Sequence, residues 1–346
     1  MQAILLVGGQ GTRLRPLTLT TPKPMLPVAG VPFVTHQLAR LAAIGVDHVV
    51  LATSYRAEVF EAHFGAGADL GLRLSYVTEG TPLGTGGAIR NAAAALDPSD
   101  GAVVVQNGDV LSGHDLRAQV ARHQEAGAVA TLHLVTVEDA RPYGCVPTGA
   151  DGRVLAFHEK MPEPVSRQIN AGCYVLDRTV IDAIPPGAVV SVERETFPAL
   201  LASGALVLGV VDDAYWIDVG TPAAYVQASA DVVRATAGDR LVDPSAAVDP
   251  SASVIDGTAV GPGVRVEAGA VVAGSVLQAG ACIGPGAVVT RSAIGAGATV
   301  GVGCVVTDAV IGDGAQIGAG NELQAGVRVW PGIVLPDLAL RFSPDA

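Results

Sequence analysis

Lys23 and Lys160 are the two lysines of a chain that carries 19 arginines. Where positive charge is otherwise written as Arg, a retained Lys points to a site that needs a compact ammonium rather than a planar fork; a codon-usage accident would leave the same trace. Lys23 lies in Pro22-Lys23-Pro24, and the two rings stiffen the backbone so that the ammonium points in a fixed direction. Just upstream, the apolar run AILLV at 3–7 enters GGQGTRLRP at 8–16. A glycine turn after a strand brings backbone N–H groups up to phosphate oxygens, and a helix opening behind it would favour the same negative charge. No Lys-Ser or Lys-Thr pair closes the turn, so it is not a Walker A loop. Arg13 stands there instead.

Carboxylates supply the second half of the chemistry. VVVQ at 103–106 ends in Asn107-Gly108-Asp109, which sets Asp109 at the C-terminal edge of a strand, the usual ligand crevice of an open α/β sheet. Asp218 follows Trp216-Ile217. Two carboxylates with phosphate oxygens and water suit octahedral Mg²⁺; either alone is equally at home as a turn or cap residue.

The elements that must position these groups come in two kinds. With 346 residues, 43 Gly, 22 Pro and 4% aromatics, the chain is too long for one ordinary core. Up to residue 237, short β-rich runs alternate with amphipathic stretches, as in VTHQLARLAAIG at 34–45, VVLA at 49–52 and the Ala-rich 88–96. That alternation predicts an α/β domain over 1–237 with a mainly parallel sheet covered on both faces. Over 238–346 charge thins out and a branched aliphatic recurs every six residues, through Val242, Val248, Val254, Val260, Val266 and Val272 to Leu335. The register slips by one at 272 to 277, 289 to 294 and 306 to 311, that is every 17 residues, so three hexads make one coil. About six coils of a triangular parallel β-helix fit, with an aliphatic pointing inward on each face and a small residue at each corner. The pattern resembles the hexapeptide repeats of left-handed β-helix proteins. Many of those are acyltransferases with a His base, but the last His here is His158, far upstream, so the coil is expected to serve assembly, packing or regulation.

A net charge of −12 offers no basic footprint for nucleic acid. No apolar run spans a membrane and no basic stretch leads to a cleavage site, so a cytoplasmic protein is expected. Cys145, Cys173, Cys282 and Cys304 lack zinc-binding spacing and read as free thiols filling small core spaces.

GGQGTRLRPLT followed by PKPMLPV is similar to the signature of the sugar-1-phosphate nucleotidyltransferases, and INAGCYVL at 169–176, SVERETFP at 191–198 and YWIDVGTP at 215–222 extend the likeness over essentially the whole chain. The resemblance implies a Rossmann-like nucleotidyltransferase domain followed by a left-handed parallel β-helix. It further implies transfer of a nucleotidyl group to a sugar 1-phosphate with Mg²⁺, in a homo-oligomer. Gly8, Gly9, Gly11 and Thr12 would wrap the triphosphate with Leu6 and Val7 at the nucleoside end, and Asn107 and Gly108 beside it. Arg13 would hold the leaving pyrophosphate, Lys23 would bridge phosphate oxygens, and Asp109 and Asp218 would hold the metal. Phe157-His158-Glu159-Lys160-Met161-Pro162 resembles the family's sugar-phosphate segment, with Glu159 for sugar hydroxyls and Lys160 for the phosphate. Met161 stands where the family usually has Pro, with Pro162 one place later, and the Lys160 charge is kept. Gly144, Asn170 and Gly172 would line the sugar pocket.

Base choice turns on Glu79 in TEGTPLGTGGAIRNA at 78–92. Family members using uracil or thymine carry Gln there. Guanine offers two adjacent donors, which a carboxylate accepts together, whereas adenine N1 is an acceptor. The expected donor is therefore GTP, with Pro82, Gly84 and Thr85 completing the base and ribose contacts; the family resemblance, not the base argument, makes mannose 1-phosphate the leading acceptor. Two alternatives keep the chemistry: UTP or dTTP with glucose 1-phosphate, or GTP with a heptose or cyclitol phosphate. A third, a silent regulatory subunit, would have lost a phosphate or metal residue, and all five are present.

Overall fold

The computed structural model describes residues 1–54, 56–97 and 101–342. The chain folds into two compact units, Met1–Gly9 with Val34–Ile217, and Gln10–Phe33 with the chain from Asp218 onward. The signature segment with Arg13 and Lys23 thus belongs to the same unit as the coil.

Unit one is built from β1 (Gln2–Leu6), α1 (Phe33–Ala43), β2 (His48–Thr53), α2 (Ala57–Phe64), β3 (Arg73–Thr78), α3 (Gly84–Ala92), β4 (Ala102–Asn107), β5 (Val110–Ser112), α4 (Leu116–Ala126), β6 (Ala130–Thr136), β7 (Gly144–Cys145), β8 (His158–Glu159), β9 (Gln168–Asp177), α5 (Arg178–Asp182), α6 (Phe197–Ala202), β10 (Val207–Asp212) and β11 (Trp216–Asp218). A nine-stranded sheet runs β8-β7-β9-β4-β1-β2-β3, with β6 on β9 and β10 on β6, while β5 and β11 form a separate ribbon. β4-β1-β2-β3 are parallel, and β9 enters antiparallel beside β4. The near-continuous apolar β1, β2 and β4 follow from helices covering both faces. Chain order reverses at β1, so the loops after β1 and β4 flank one crevice, with Leu6 opposite Asn107.

No α-helix opens behind the glycine turn, contrary to expectation. Thr12–Leu14 and Lys23–Met25 are single 3₁₀ turns, and the first α-helix begins at Phe33. Pro16, Pro22, Pro24, Pro27 and Pro32 are the reason: each removes a backbone donor, and Arg15 and Leu26, directly before two of them, stand extended at ψ 140 and 136.

In unit two, α7 (Pro222–Thr236) leads into stacked parallel sheets of six, six and five strands. All the anchors from Val254 to Val329 are buried in one apolar column, with Val242, Val248 and Leu335 packed against its ends. The register slips have a backbone cause. At the corner between the third and first faces, a five-residue step carries one residue at positive φ, namely Gly274, Arg291 or Asp308. A six-residue step carries two, Asp256 with Gly257 or Ala325 with Gly326. Thr258, Ser275 and Ser292 stack at the same edge, each hydroxyl accepting the backbone N–H one coil on. This parallel β-helix and sheet domain match the architecture expected from the two sequence periods. Among the described residues no helix is long and apolar enough to cross a membrane, and all four cysteines are free.

Candidate active site

In unit one the glycine turn begins where β1 stops. Val7 N–H donates to Ala52 O at 3.0 Å, and Ser54 Oγ donates to Gly8 O. A Cβ at Gly8 would meet Ser54 Oγ at 2.7 Å, whereas nothing lies within 4 Å of one at Gly9. Gly8 is therefore needed for packing and Gly9 opens to solvent. Across the crevice Gly108 N–H donates to Leu6 O, and a Cβ at Gly108 would sit 2.5 Å from that oxygen. The Asn107-Gly108-Asp109 turn is held from below by Gln37, buried on α1, whose Nε2 donates to Asn107 O at 2.8 Å and Val110 O at 3.0 Å. Gln37 was invisible in the sequence because it is one polar residue on a helix face. Asn107 Oδ1 is buried without a hydrogen-bond partner in the protein, an acceptor that a ligand donor would satisfy.

The strip after β3 is more structural than its sequence suggests. Glu79 Oε2 accepts from Leu83 N at 3.1 Å, closing the turn through Pro82. Gly84, at φ 70, brings α3 against residue 190: a Cβ there would lie 2.6 Å from Val190 O. The Thr85 hydroxyl donates to Glu193 and accepts from Val192 N, so it ties α3 to the 192–196 turn.

On the other side of β4, β7 and β8 pair Gly144 with Glu159. A Cβ at Gly144 would be 3.0 Å from Glu159 Oε2, so glycine leaves that carboxylate its place. Lys160 follows at φ 51, its N–H on Tyr143 O and its ammonium 3.7 Å from Glu159 Oε1 with the side chain 62% exposed. Lys160 thus takes the left-handed conformation directly before Met161. Asn170 bridges Tyr174 OH and Gly172 N. Gly172, at φ 77, lies against Asn107, since its Cβ would be 2.8 Å from Asn107 Nδ2. Trp216 Nε1 donates to Ala171 O and its ring meets Tyr143 edge-on, which walls this side.

Beneath β5 lies a buried polar network that sequence reading missed. The His114 ring stacks on His133 at 3.7 Å, donates from Nε2 to Gln119 Oε1 and accepts from Ser112 at Nδ1. Arg40 donates to His114 O, and Asp212 bonds His133. Burial, then His133 and Arg40, push His114 down to about 3. The unfolded chain takes up that proton near the ordinary value, so stability falls as pH drops from about 6.5 toward 3, by up to ~1.4 kcal/mol per pH unit. His114→Gln should flatten this acid limb in urea titrations between pH 4 and 7; an unchanged slope would remove His114 as its source.

In unit two, Gly11 stands at φ 59, and a Cβ there would lie 3.0 Å from both Lys23 Cβ and Thr18 Cγ2. Thr18 Oγ1 also donates to Gly11 O at 2.8 Å. Lys23 is thereby pressed, 9% exposed, against the last glycine of the loop. The guanidinium of Arg13 lies on Gly220, where a Cβ would be 2.7 Å from Nη2. Gly220, two residues past Asp218, falls inside the YWIDVGTP segment, and the approach of Arg13 gives the physical reason for a glycine there. Among the described residues no three His, Cys, Asp or Glu gather to hold a metal. Mg²⁺ takes one or two carboxylates and completes its shell with water and phosphate, so Asp109 and Asp218 are each of a chemistry that suits it.

The nucleotidyl transferase family model matches residues 2–235, and the GMPPB C-terminal domain model matches 236–341. A mannose-1-phosphate guanylyltransferase of Mycobacterium tuberculosis is 54% identical over 361 residues, covering 100% of this chain and 98% of its own. Mannose-1-phosphate guanylyltransferase 1 of Arabidopsis thaliana is 36% identical over 79% of this chain and 78% of its own. Among solved structures, HddC from Yersinia pseudotuberculosis, complexed with GMP-PN in one case, superposes with a TM-score of 0.57 at 28% identity, over 67% of this chain and 99% of that one. The chain belongs to the nucleotidyl transferase family.

Proposed function

We propose that this enzyme transfers GMP from GTP to mannose 1-phosphate, giving GDP-mannose and pyrophosphate. The observation that carries the reading is the pair of cations fixed around the signature turn, Lys23 pressed on Gly11 and Arg13 on Gly220, in a chain whose full-length relative bears that activity as its name. The sugar phosphate oxygen attacks the α-phosphorus in line and the pyrophosphate oxygen leaves with the bonding pair. Both reactants are polyanions, so neutralisation and alignment are the work of the protein. Arg13 holds the departing pyrophosphate, Lys23 bridges phosphate oxygens, and Lys160 with Glu159 receives the sugar phosphate and its hydroxyls. A divalent cation, Mg²⁺ in this reading, would be held by Asp109 and Asp218 and would supply further charge neutralisation on the phosphates. Asn107, with its unfilled acceptor, takes a nucleotide donor. A cytoplasmic location and self-association belong to the same reading, the latter supported by exposed Trp330, Ile333 and Val334 on the last coil.

Pyrophosphate release across GTP, UTP, dTTP and ATP, each with mannose, glucose and heptose phosphates, tests the reading. Strong turnover with UTP and none with GTP would overturn it. Glu79→Gln keeps an acceptor for Leu83 N while losing one for guanine. It should cut the GTP-over-UTP ratio of kcat/KM by about 10- to 100-fold, the worth of one bidentate base contact. An unchanged ratio would mean that the base is read elsewhere.

A further inference from the structure

The coil of unit two does more than continue the chain. Arg328, the first residue of the two-residue strand Arg328–Val329, donates from Nη1 to Arg13 O and to Arg15 O, both at 2.8 Å. One coil earlier, Asp313 accepts from Thr20 Oγ1 at 2.9 Å, and Val310 pairs with Arg328 across these coils. Two neighbouring coils therefore grip the signature segment at both ends of its first stretch. Arg328 is aimed at the backbone that carries the Arg13 guanidinium onto Gly220. A guanidinium suits such a clamp because its donors are rigidly forked, and hydrogen bonds from a charged donor are among the stronger ones.

We infer that Arg328 is a positioning residue for nucleotidyl transfer: the β-helix acts on catalysis by fixing the main chain at Arg13 and just after it. The inference rests on the catalytic role of Arg13 proposed above. It gives the hexapeptide domain a direct part in turnover, beyond assembly. The coil need not move for this; a rigid stack offers a fixed reference against which an irregular, proline-rich segment is held.

The test uses the full chain with GTP, mannose 1-phosphate and Mg²⁺, reading kcat, KM for GTP and the thermal midpoint. Arg328→Ala should lower kcat by about 10- to 100-fold, the usual effect of a small misplacement at a reacting centre, with a much smaller change in KM. Arg328→Lys should recover part of that rate. Arg265→Ala, at the matching first position of another two-residue coil strand, should leave kcat unchanged. A double-mutant cycle decides the route. If Arg328 acts through Arg13, then adding Arg328→Ala to Arg13→Ala costs nothing further. Independent, multiplying effects overturn the inference, as does a wild-type kcat for Arg328→Ala. A fully active Arg13→Ala would instead overturn the proposed role of Arg13 and leave the clamp without a catalytic target.

Discussion

Arg13→Ala is expected to lower kcat by about a thousandfold, equivalent to ~4 kcal/mol of transition-state stabilisation, with the thermal midpoint nearly unchanged. Charge builds on the pyrophosphate oxygens as the bond to the α-phosphorus breaks, and a cation already in place there needs no reorganisation. In the role proposed for it, Arg13 meets that condition. Its main-chain oxygen is held by Arg328 at 2.8 Å, its guanidinium rests on Gly220, and the preceding turn is closed by Thr18 on Gly11. The residue is exposed, so removing it empties no core. Gly220→Ala is the companion variant. It keeps the charge but puts a methyl 2.7 Å from Nη2, so the guanidinium must shift, and roughly a tenfold loss of kcat is expected from that displacement. Steady-state pyrophosphate release measures both. An Arg13→Ala enzyme within threefold of the parent would show that pyrophosphate is stabilised by other groups.

Ile294→Asp should destabilise unit two by about 5 kcal/mol or more and take turnover with it. Ile294 is 0% exposed and pairs with Leu277 on one side and Ile311 on the other. A carboxylate in that column has no partner and no route to water. Each coil is stabilised by its neighbours, so a break in the middle removes two interfaces at once. Ile294→Val, which leaves a smaller void, should cost only about 1 kcal/mol. Because Gln10–Phe33 folds with the coil, loss of the coil should release Arg13 and Lys23, and activity should fall along the same thermal transition. Differential scanning calorimetry with activity sampled at each temperature provides the check. If the Asp variant melts like the parent, the aliphatic column does not hold the coil together.

Much of the architecture was legible because it is periodic. Every aliphatic anchor from Val254 to Val329 is buried as the hexad spacing requires, and the one-residue slips at 277, 294 and 311 mark real corners, each shortened where a single left-handed residue does the work of two. The parallel strands 2–6, 48–53 and 102–107 likewise came from apolar runs that only a doubly covered sheet can bury. The glycine turn and the strand-ending Asp109 were readable from their place after strands. The helix assumed behind the turn was not there, because the local signal at Gly11 was overruled by five prolines in the next twenty-odd residues.

Residue types and their spacing thus determined the sheet, the coil, the family likeness and the short roster of cations and carboxylates. Tertiary structure alone decided which chemically ordinary residues support them. Gln37 under the Asn107 turn, Gly220 beneath Arg13, Glu193 on Thr85, and Arg328 on the Arg13 and Arg15 carbonyls lie between about 70 and 315 residues from their partners. Periodicity reports what a residue meets within a turn or a strand pair. A side chain that closes a distant backbone carbonyl leaves no repeat and no motif, and its partner exists only once the chain has folded.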